Sequence, residues 1–133
     1  MATGFVVVDM RALLDDSRVG REAARTLEQR WTDSVAKAQS MREKAKAAPG
    51  TQKTALMEQV QKFERETEQA LEEARNTLRR EVLARAQPFE KEAAQARGVT
   101  AVLDRASVVL CEKADDLTDE VIDRIDALGP LKV

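Results

Sequence analysis

The sequence predicts a mostly helical α+β protein, in which one long antiparallel helical hairpin is joined to a small β body made by both chain ends. Two matching apolar stripes lie on either side of Pro49-Gly50, and short β-branched runs occur only outside those stripes. The composition favours long helices, because it is dominated by Ala, Glu, Arg, Leu, Lys and Gln, which are strong helix formers. Of all residues, 35% are charged and only 3% are aromatic. With so little aromatic material for a core, an elongated form is favoured over a compact one.

The charge balance and the residue inventory argue against several classes of function. The net charge is −2 and both signs are interspersed, so the chain lacks the basic stripe that nucleic-acid binding needs. It contains no His and one Cys, which removes the commonest metal ligand, the commonest general base and any internal disulfide. We therefore expect no enzyme activity, no cofactor, no metal site and no nucleic-acid partner.

The longest apolar run, residues 4–8, is far too short to cross a bilayer, so we expect no direct membrane insertion. A basic start followed by an apolar segment is also absent. Two localisations stay open: the periplasm, with a signal peptide absent from this sequence, or the cytoplasm, if no signal precedes Met1.

The first predicted element is a strand over residues 4–9, where a β-branched run is typical of a strand buried on both faces. Met10 to Leu14 fit a short helical turn. Ser17 is suited to cap the helix that follows from Arg18, because its hydroxyl can accept a hydrogen bond from a free backbone N–H.

The hairpin is predicted from two apolar stripes that recur at steps of three and four residues. The stripe of the first helix consists of Leu27, Trp31, Val35, Ala38, Met41 and Ala45. The stripe of the second helix consists of Leu56, Val60, Phe63, Thr67, Ala70 and Ala74, and continues towards a C-terminal glycine, Gly98. The break at residues 48–51 forms the tip, with Thr51 as the cap of the second helix.

Folding the chain back at the tip predicts a register between the stripes, with arms of roughly 45 Å. Across this seam Met41 faces Val60, Ala38 faces Phe63, Val35 faces Thr67, Trp31 faces Ala70 and Leu27 faces Ala74. The side chains expected to pack in the seam are Leu27, Trp31, Val35, Ala38, Val60, Phe63, Ala70 and Ala74.

Pro88 lies inside the second predicted helix, where it removes a hydrogen bond to the Ala84 carbonyl and its ring clashes with the preceding turn. Two interpretations stay open. The proline is either a hinge near the root of the arm or a fixed bend that directs the helix into the body.

After Gly98 the helical period stops. Val99–Leu103 and Ser107–Cys111 are predicted as two strands of a hairpin that turns at residues 104–106. The chain closes with a short amphipathic helix, for which Thr118 is the predicted cap and whose apolar face carries Val121, Ile122, Ile125 and Leu128.

The predicted body, residues 1–17 and 98–133, is too small to be stable alone, whereas residues 18–97 form the arm. The strand edges of this body need to be covered, and pairing with strands of other subunits covers them. We therefore expect oligomerisation through the chain ends rather than through the tip. The residues expected to build the oligomer body are Val6, Val7, Val8, Val102, Leu103, Val108, Val109 and Leu110.

The order of these elements resembles the Skp/OmpH family of periplasmic chaperones over nearly the whole chain. The similarity is carried by the strand ending in Val8-Asp9-Met10, the long charged hairpin, residues 98–104 and residues 116–121. The resemblance implies a homotrimer with a central β-barrel body and three helical arms around a cavity. It further implies that the protein holds unfolded outer-membrane proteins without ATP.

Under that resemblance the client-binding residues would lie near the arm tip, and Met41, Leu56 and Met57 are the candidates, since methionine suits varied partners. The alternative function is a coiled-coil scaffold or adaptor that binds one defined protein partner through the charged faces of the hairpin.

Overall fold

The computed structural model describes residues 4–112 and 115–132. Its elements in chain order are β1 (Phe5–Val8), α1 (Met10–Asp15), α2 (Arg18–Ala47), α3 (Gly50–Ala96), β2 (Ala101–Asp104) and α4 (Thr118–Ala127). A 3-10 turn, Arg105–Ser107, follows β2 directly. The predicted class, mostly helical α+β with a long helical hairpin and a small sheet, is confirmed.

The chain divides into two compact units. The terminal unit contains Met1–Ala24 and Thr77–Val133, and the hairpin unit contains Arg25–Asn76. Helices α2 and α3 contribute residues to both units.

The sheet of the terminal unit pairs the two ends of the chain. Strands β1 and β2 run parallel, in a register that aligns Phe5 with Ala101 and Val8 with Asp104. Val6, Val7 and Val8 are each 0% exposed, so the prediction of a first strand buried on both faces is confirmed. On the other side of β1, the Leu117 backbone N–H donates to the Val7 carbonyl over 2.8 Å.

The predicted strand Ser107–Cys111, and the antiparallel hairpin it would form, are wrong. The chain leaves strand geometry directly after β2, because the Asp104 carboxylate accepts a hydrogen bond from the Ala106 N–H at 3.2 Å. The Val108 N–H then donates to the Arg105 carbonyl at 3.0 Å and completes the 3-10 turn. β2 itself begins and ends slightly later than predicted and pairs with β1 instead.

The corner between α1 and α2 is held by Ser17, which is 0% exposed. The Ser17 hydroxyl accepts from the Gly20 N–H at 3.0 Å and donates to the Leu13 carbonyl at 2.5 Å. The predicted N-cap is therefore confirmed. A second acceptor comes from α4, since the Asp126 carboxylate receives the N–H groups of Arg18 and Val19 at 3.1 and 3.0 Å.

Gly98 ends α3 as predicted. Its φ of +70° lies in the left-handed region that favours glycine. The Gly98 N–H donates to the Gln95 carbonyl at 3.1 Å and the Val99 N–H to the Ala94 carbonyl at 3.0 Å, the paired bonds of a Schellman motif.

Two predicted caps are wrong. Thr51 lies inside α3, which already begins at Gly50. Thr118 is the first residue of α4 rather than its cap, because the Asp116 carboxylate is the acceptor that receives the Thr118 N–H at 2.9 Å. Both helices begin earlier than these predicted caps would place them.

Pro88 lies within α3, which is assigned as helix on both sides of it. The buried face of this part of α3 includes Val82, Ala86 and Ala94. The hinge at Pro88 stays a prediction.

Candidate functional site

The seam of the hairpin unit is only partly closed. Leu27, Ala38 and Val60 are buried, at 4%, 8% and 1% exposure, and Phe63 and Ala74 are half-buried. Trp31 and Val35 keep 38% and 47% of their surfaces exposed, and Ala70 is exposed as well. The predicted burial of these three side chains is therefore wrong.

The cause is the size of the opposing residues. Trp31 lines the second cleft together with Ala70, and Val35 lines the first together with Thr67. A small side chain covers little of a large one, so the seam stays open at these two positions.

Two adjacent clefts, of about 240 and 390 Å³, lie between α2 and α3 in this unit. Both are far larger than the space that one water molecule needs. The first is lined by Trp31, Ser34, Val35, Ala38, Gln39, Arg42, Phe63, Glu64, Thr67 and Glu68. The second is lined by Leu27, Arg30, Trp31, Asp33, Ser34, Thr67, Ala70, Leu71 and Ala74. We call the two clefts together the hairpin groove.

Four of the five residue pairs predicted to face each other line a common cleft, whereas Met41 and Val60 line neither cleft. The pairs Ala38 with Phe63 and Val35 with Thr67 line the first cleft, and the pairs Trp31 with Ala70 and Leu27 with Ala74 line the second. Trp31, Ser34 and Thr67 border both clefts, which makes them the boundary between the two.

The rim of the groove is polar and carries both signs of charge. Arg42 of α2 forms an ion pair with Glu64 of α3 across the first cleft. The Gln29 amide donates to the Asp33 carboxylate at 2.9 Å beside the second. The Lys37 ammonium lies 5.0 Å from the centre of the Phe63 ring, a distance that suits a cation–π contact.

Met41, Leu56 and Met57, the predicted client-binding residues, are all half-buried, and none of them lines the groove. Their binding role stays a prediction. The groove itself was missed from the sequence, although its signal was present: two large stripe residues face small ones in the predicted register.

The residues predicted to build an oligomer body separate into two groups in the structure. Val6, Val7 and Val8 are fully buried within the chain's own terminal unit. Val102 and Val108 are half-buried, and Leu103 is 39% exposed. Val109 and Leu110 are 100% and 87% exposed, as neighbours in a segment without regular structure.

Asp116 joins three elements of the terminal unit. Its carboxylate accepts from the Thr118 hydroxyl at 2.5 Å and from the Arg105 guanidinium at 2.9 Å, and the same hydroxyl accepts from the Asp9 N–H at 2.8 Å. Burial alone would raise the pKa of this carboxyl. The hydrogen bonds from Thr118 and the Arg105 charge outweigh burial and lower the pKa below its usual range.

Replacing Asp116 by Ala is expected to lower the free energy of unfolding by about 2 kcal/mol at neutral pH, because several hydrogen bonds to a charged acceptor are lost. The folded pKa is lowered, so the contribution is present above the unfolded value of about 3.9 and disappears as the pH falls. Urea unfolding at several pH values measures this difference, with the exposed Asp123→Ala as the control. A difference in the free energy of unfolding between wild type and Asp116→Ala that stays unchanged at pH 2 would contradict the lowered pKa of Asp116.

Glu90 of α3 is a buried acid that sequence analysis did not identify. It is 8% exposed, and within residues 4–112 and 115–132 its Oε1 has no hydrogen-bond partner. Burial raises the pKa of its carboxyl.

Replacing Glu90 by Leu is expected to raise the free energy of unfolding by about 1–3 kcal/mol at neutral pH, since an unsatisfied buried polar group is removed. The pKa of Glu90 is raised in the folded state, so its burial costs wild type the least stability below about pH 4.3. The cost grows as the pH rises through the folded-state pKa. The gain of the Leu variant should therefore grow with pH in urea titrations. Glu90→Gln keeps a polar group without the charge, so the stability difference between the Gln and Leu variants should not depend on pH. A gain of the Leu variant over wild type that does not depend on pH would refute this account.

Groups of three or more potential metal-ligating side chains do not occur in the described part of the chain. Within that same part, none of the helices has the length and apolar character that a membrane span requires.

The sequence matches the family described as outer membrane protein (OmpH-like) over residues 4–125. The chain belongs to the OmpH-like family. Residues 4–125 include every element of this OmpH-like chain from β1 to most of α4, so both the hairpin and the sheet are family features. The resemblance predicted from the sequence is confirmed.

The OmpH-like fold is also found in a crystal structure of a proposed outer membrane chaperone (OmpH-like) from Caulobacter crescentus CB15. The two share 16% sequence identity and superpose with a TM-score of 0.71, over 100% of this chain and 90% of the other. At this identity the similarity establishes a common fold. Among curated proteins, none matches this sequence.

Proposed function

We propose that the protein is an ATP-independent holdase chaperone of the periplasm, which encloses unfolded outer-membrane proteins between the helical arms of a homotrimer and prevents their aggregation. The observation that carries this proposal is the hairpin groove, where apolar surface of Trp31 and Val35 stays accessible between charged helices. Such surface offers weak contacts, and weak contacts let a client be released without an energy source. Membership in the OmpH-like family, which is not a class of enzymes, supports the same assignment.

The homotrimer part of the proposal rests on Val109 and Leu110. Two adjacent, almost fully exposed aliphatic side chains are unfavourable in water and are typical of an interaction site. Covering them with equivalent surface from other copies completes the small body.

The clients match this chemistry. An unfolded membrane β-barrel protein exposes alternating apolar side chains and unpaired strand edges, which aggregate through β pairing. A chaperone that covers many such segments weakly keeps the client unfolded and available for release.

The experiment is a dilution assay. A urea-denatured outer-membrane β-barrel protein is diluted into buffer with and without a stoichiometric amount of the trimer, and light scattering records aggregation without added ATP. We expect suppression of scattering. Unchanged aggregation would refute the holdase function, and binding of a single folded partner instead would favour the scaffold alternative.

A further inference from the structure

We propose that the hairpin groove binds an extended segment of a client, with apolar side chains at positions i and i+2 inserted into the two adjacent clefts. This inference rests on the proposed holdase function and specifies which client segments the hairpin recognises.

The spacing of the clefts fits an extended segment. On α2 the first cleft is lined by residues 31–42 and the second by residues 27–34; on α3 the ranges are 63–68 and 67–74. The midpoints of these ranges are displaced by about six residues on α2 and about five on α3, or roughly 8–9 Å. Side chains at i and i+2 of an extended strand lie about 7 Å apart on the same face. This spacing is close to the displacement of the clefts, whose volumes of about 240 and 390 Å³ accommodate the difference.

The polar groups beside the clefts fit an extended backbone better than a helical one. Ser34, Thr67 and Gln39 border the clefts, and each side chain both donates and accepts hydrogen bonds. An extended segment carries unpaired N–H and C=O groups that can use such partners, whereas a helix has satisfied its own. The rim charges of both signs, Arg42 with Glu64 and Glu68, favour no particular client charge.

The amount of exposed apolar surface argues against a second copy of this chain as the occupant. The groove exposes parts of Trp31 and Val35, on the order of 150 Å². A stable interface between protein subunits needs about 800 Å² from each partner, of which a little over half, roughly 450 Å², is apolar. A short segment that binds weakly and repeatedly fits the area available.

Trp31 provides the readout, because it is the single Trp of the chain and borders both clefts. A ten-residue peptide that alternates Val or Leu with Ser or Lys is titrated into the full-length protein while Trp31 fluorescence is recorded. The comparison peptide has the same residues with the apolar ones grouped in a block. We expect the alternating peptide to shift the emission and to bind about fivefold more tightly than its isomer.

Ala70→Arg fills the second cleft and should weaken binding of the alternating peptide about fivefold. Ala36→Arg is the matched control, because Ala36 is also exposed on the hairpin, lies outside both clefts and acquires the same charge. Circular dichroism checks that both variants keep their helices. Equal binding of the two peptides to wild type, or equal effects of the two variants, would overturn the inference.

The dilution assay separates this inference from the proposed function. If wild type suppresses aggregation but does not distinguish the two peptides, the holdase function stands and the groove is not the recognition site. If wild type fails to suppress aggregation, the holdase function itself is wrong, whatever the peptides do.

Discussion

Replacing both Val109 and Leu110 by Asp is expected to lower the molar mass in solution about threefold, from that of the proposed trimer to that of the single 14.8 kDa chain. Covering each of these side chains in an interface is worth about 1.5–3 kcal/mol, since they are almost fully exposed in the isolated chain. Two Asp side chains would instead place charges in that interface, and desolvating each charge would cost several kcal/mol. The double variant therefore loses the apolar contacts of the interface and also adds the cost of desolvating two charges.

Light scattering coupled to size-exclusion chromatography measures the mass over a range of protein concentrations. Val35→Asp is the control, because it also charges an exposed aliphatic residue but lies in the hairpin unit. The control should keep the mass of wild type. A double variant of unchanged mass, with helix content intact, would show that the exposed pair does not form the subunit interface.

Gly20→Ala is expected to lower the free energy of unfolding by about 3 kcal/mol, although Ala in place of Gly usually stabilises a helix by about 1 kcal/mol. A Cβ at this position would overlap the Leu14 carbonyl oxygen and lie 2.7 Å from the Ser17 hydroxyl oxygen. The overlap is with backbone, so the turn between α1 and α2 must shift. That shift breaks the Ser17 cap and separates α2 from Asp126.

Urea unfolding followed by circular dichroism measures the effect. Gly4→Ala is the matched control, because a Cβ there meets nothing within 4 Å, and it should change stability by less than about 0.5 kcal/mol. A stabilised Gly20→Ala variant would mean that the close approach at this corner does not constrain the fold.

The hairpin could be predicted because its signals are local and repeated. Each stripe defines a helix face, and the glycine at position 98 ends the second helix through a conformation that glycine adopts readily. The first strand was equally clear, because a run of β-branched residues is typical of a buried strand. Its three valines are indeed fully buried.

The second strand region could not be predicted in the same way. Ser107–Cys111 has the composition of a strand, but strand formation depends on a partner, and within one chain β1 pairs instead with β2 and with the segment at Asp116. Asp104 then turns the chain away. Composition alone does not show that β2 pairs with β1 rather than with residues 107–111.

The candidate site was predictable in its register but not in its openness. Four of the five predicted pairs share a cleft, but Trp31 and Val35 are not buried there, because Ala70 and Thr67 are too small to cover them. Glu90 gave no signal in the sequence, since one acid among many charged helix residues looks solvent-exposed until its neighbours are known.

The parallel pairing of β1 with β2 also sets an order of events during synthesis. The sheet joins Phe5–Val8 to Ala101–Asp104, so it cannot close until residue 104 has been made, whereas the hairpin contacts are closer in sequence and can form earlier. Until then the Val6-Val7-Val8 run has no strand partner and is a β-prone segment open to aggregation. Until β2 has been made, a protein that we propose protects such segments in others carries one itself.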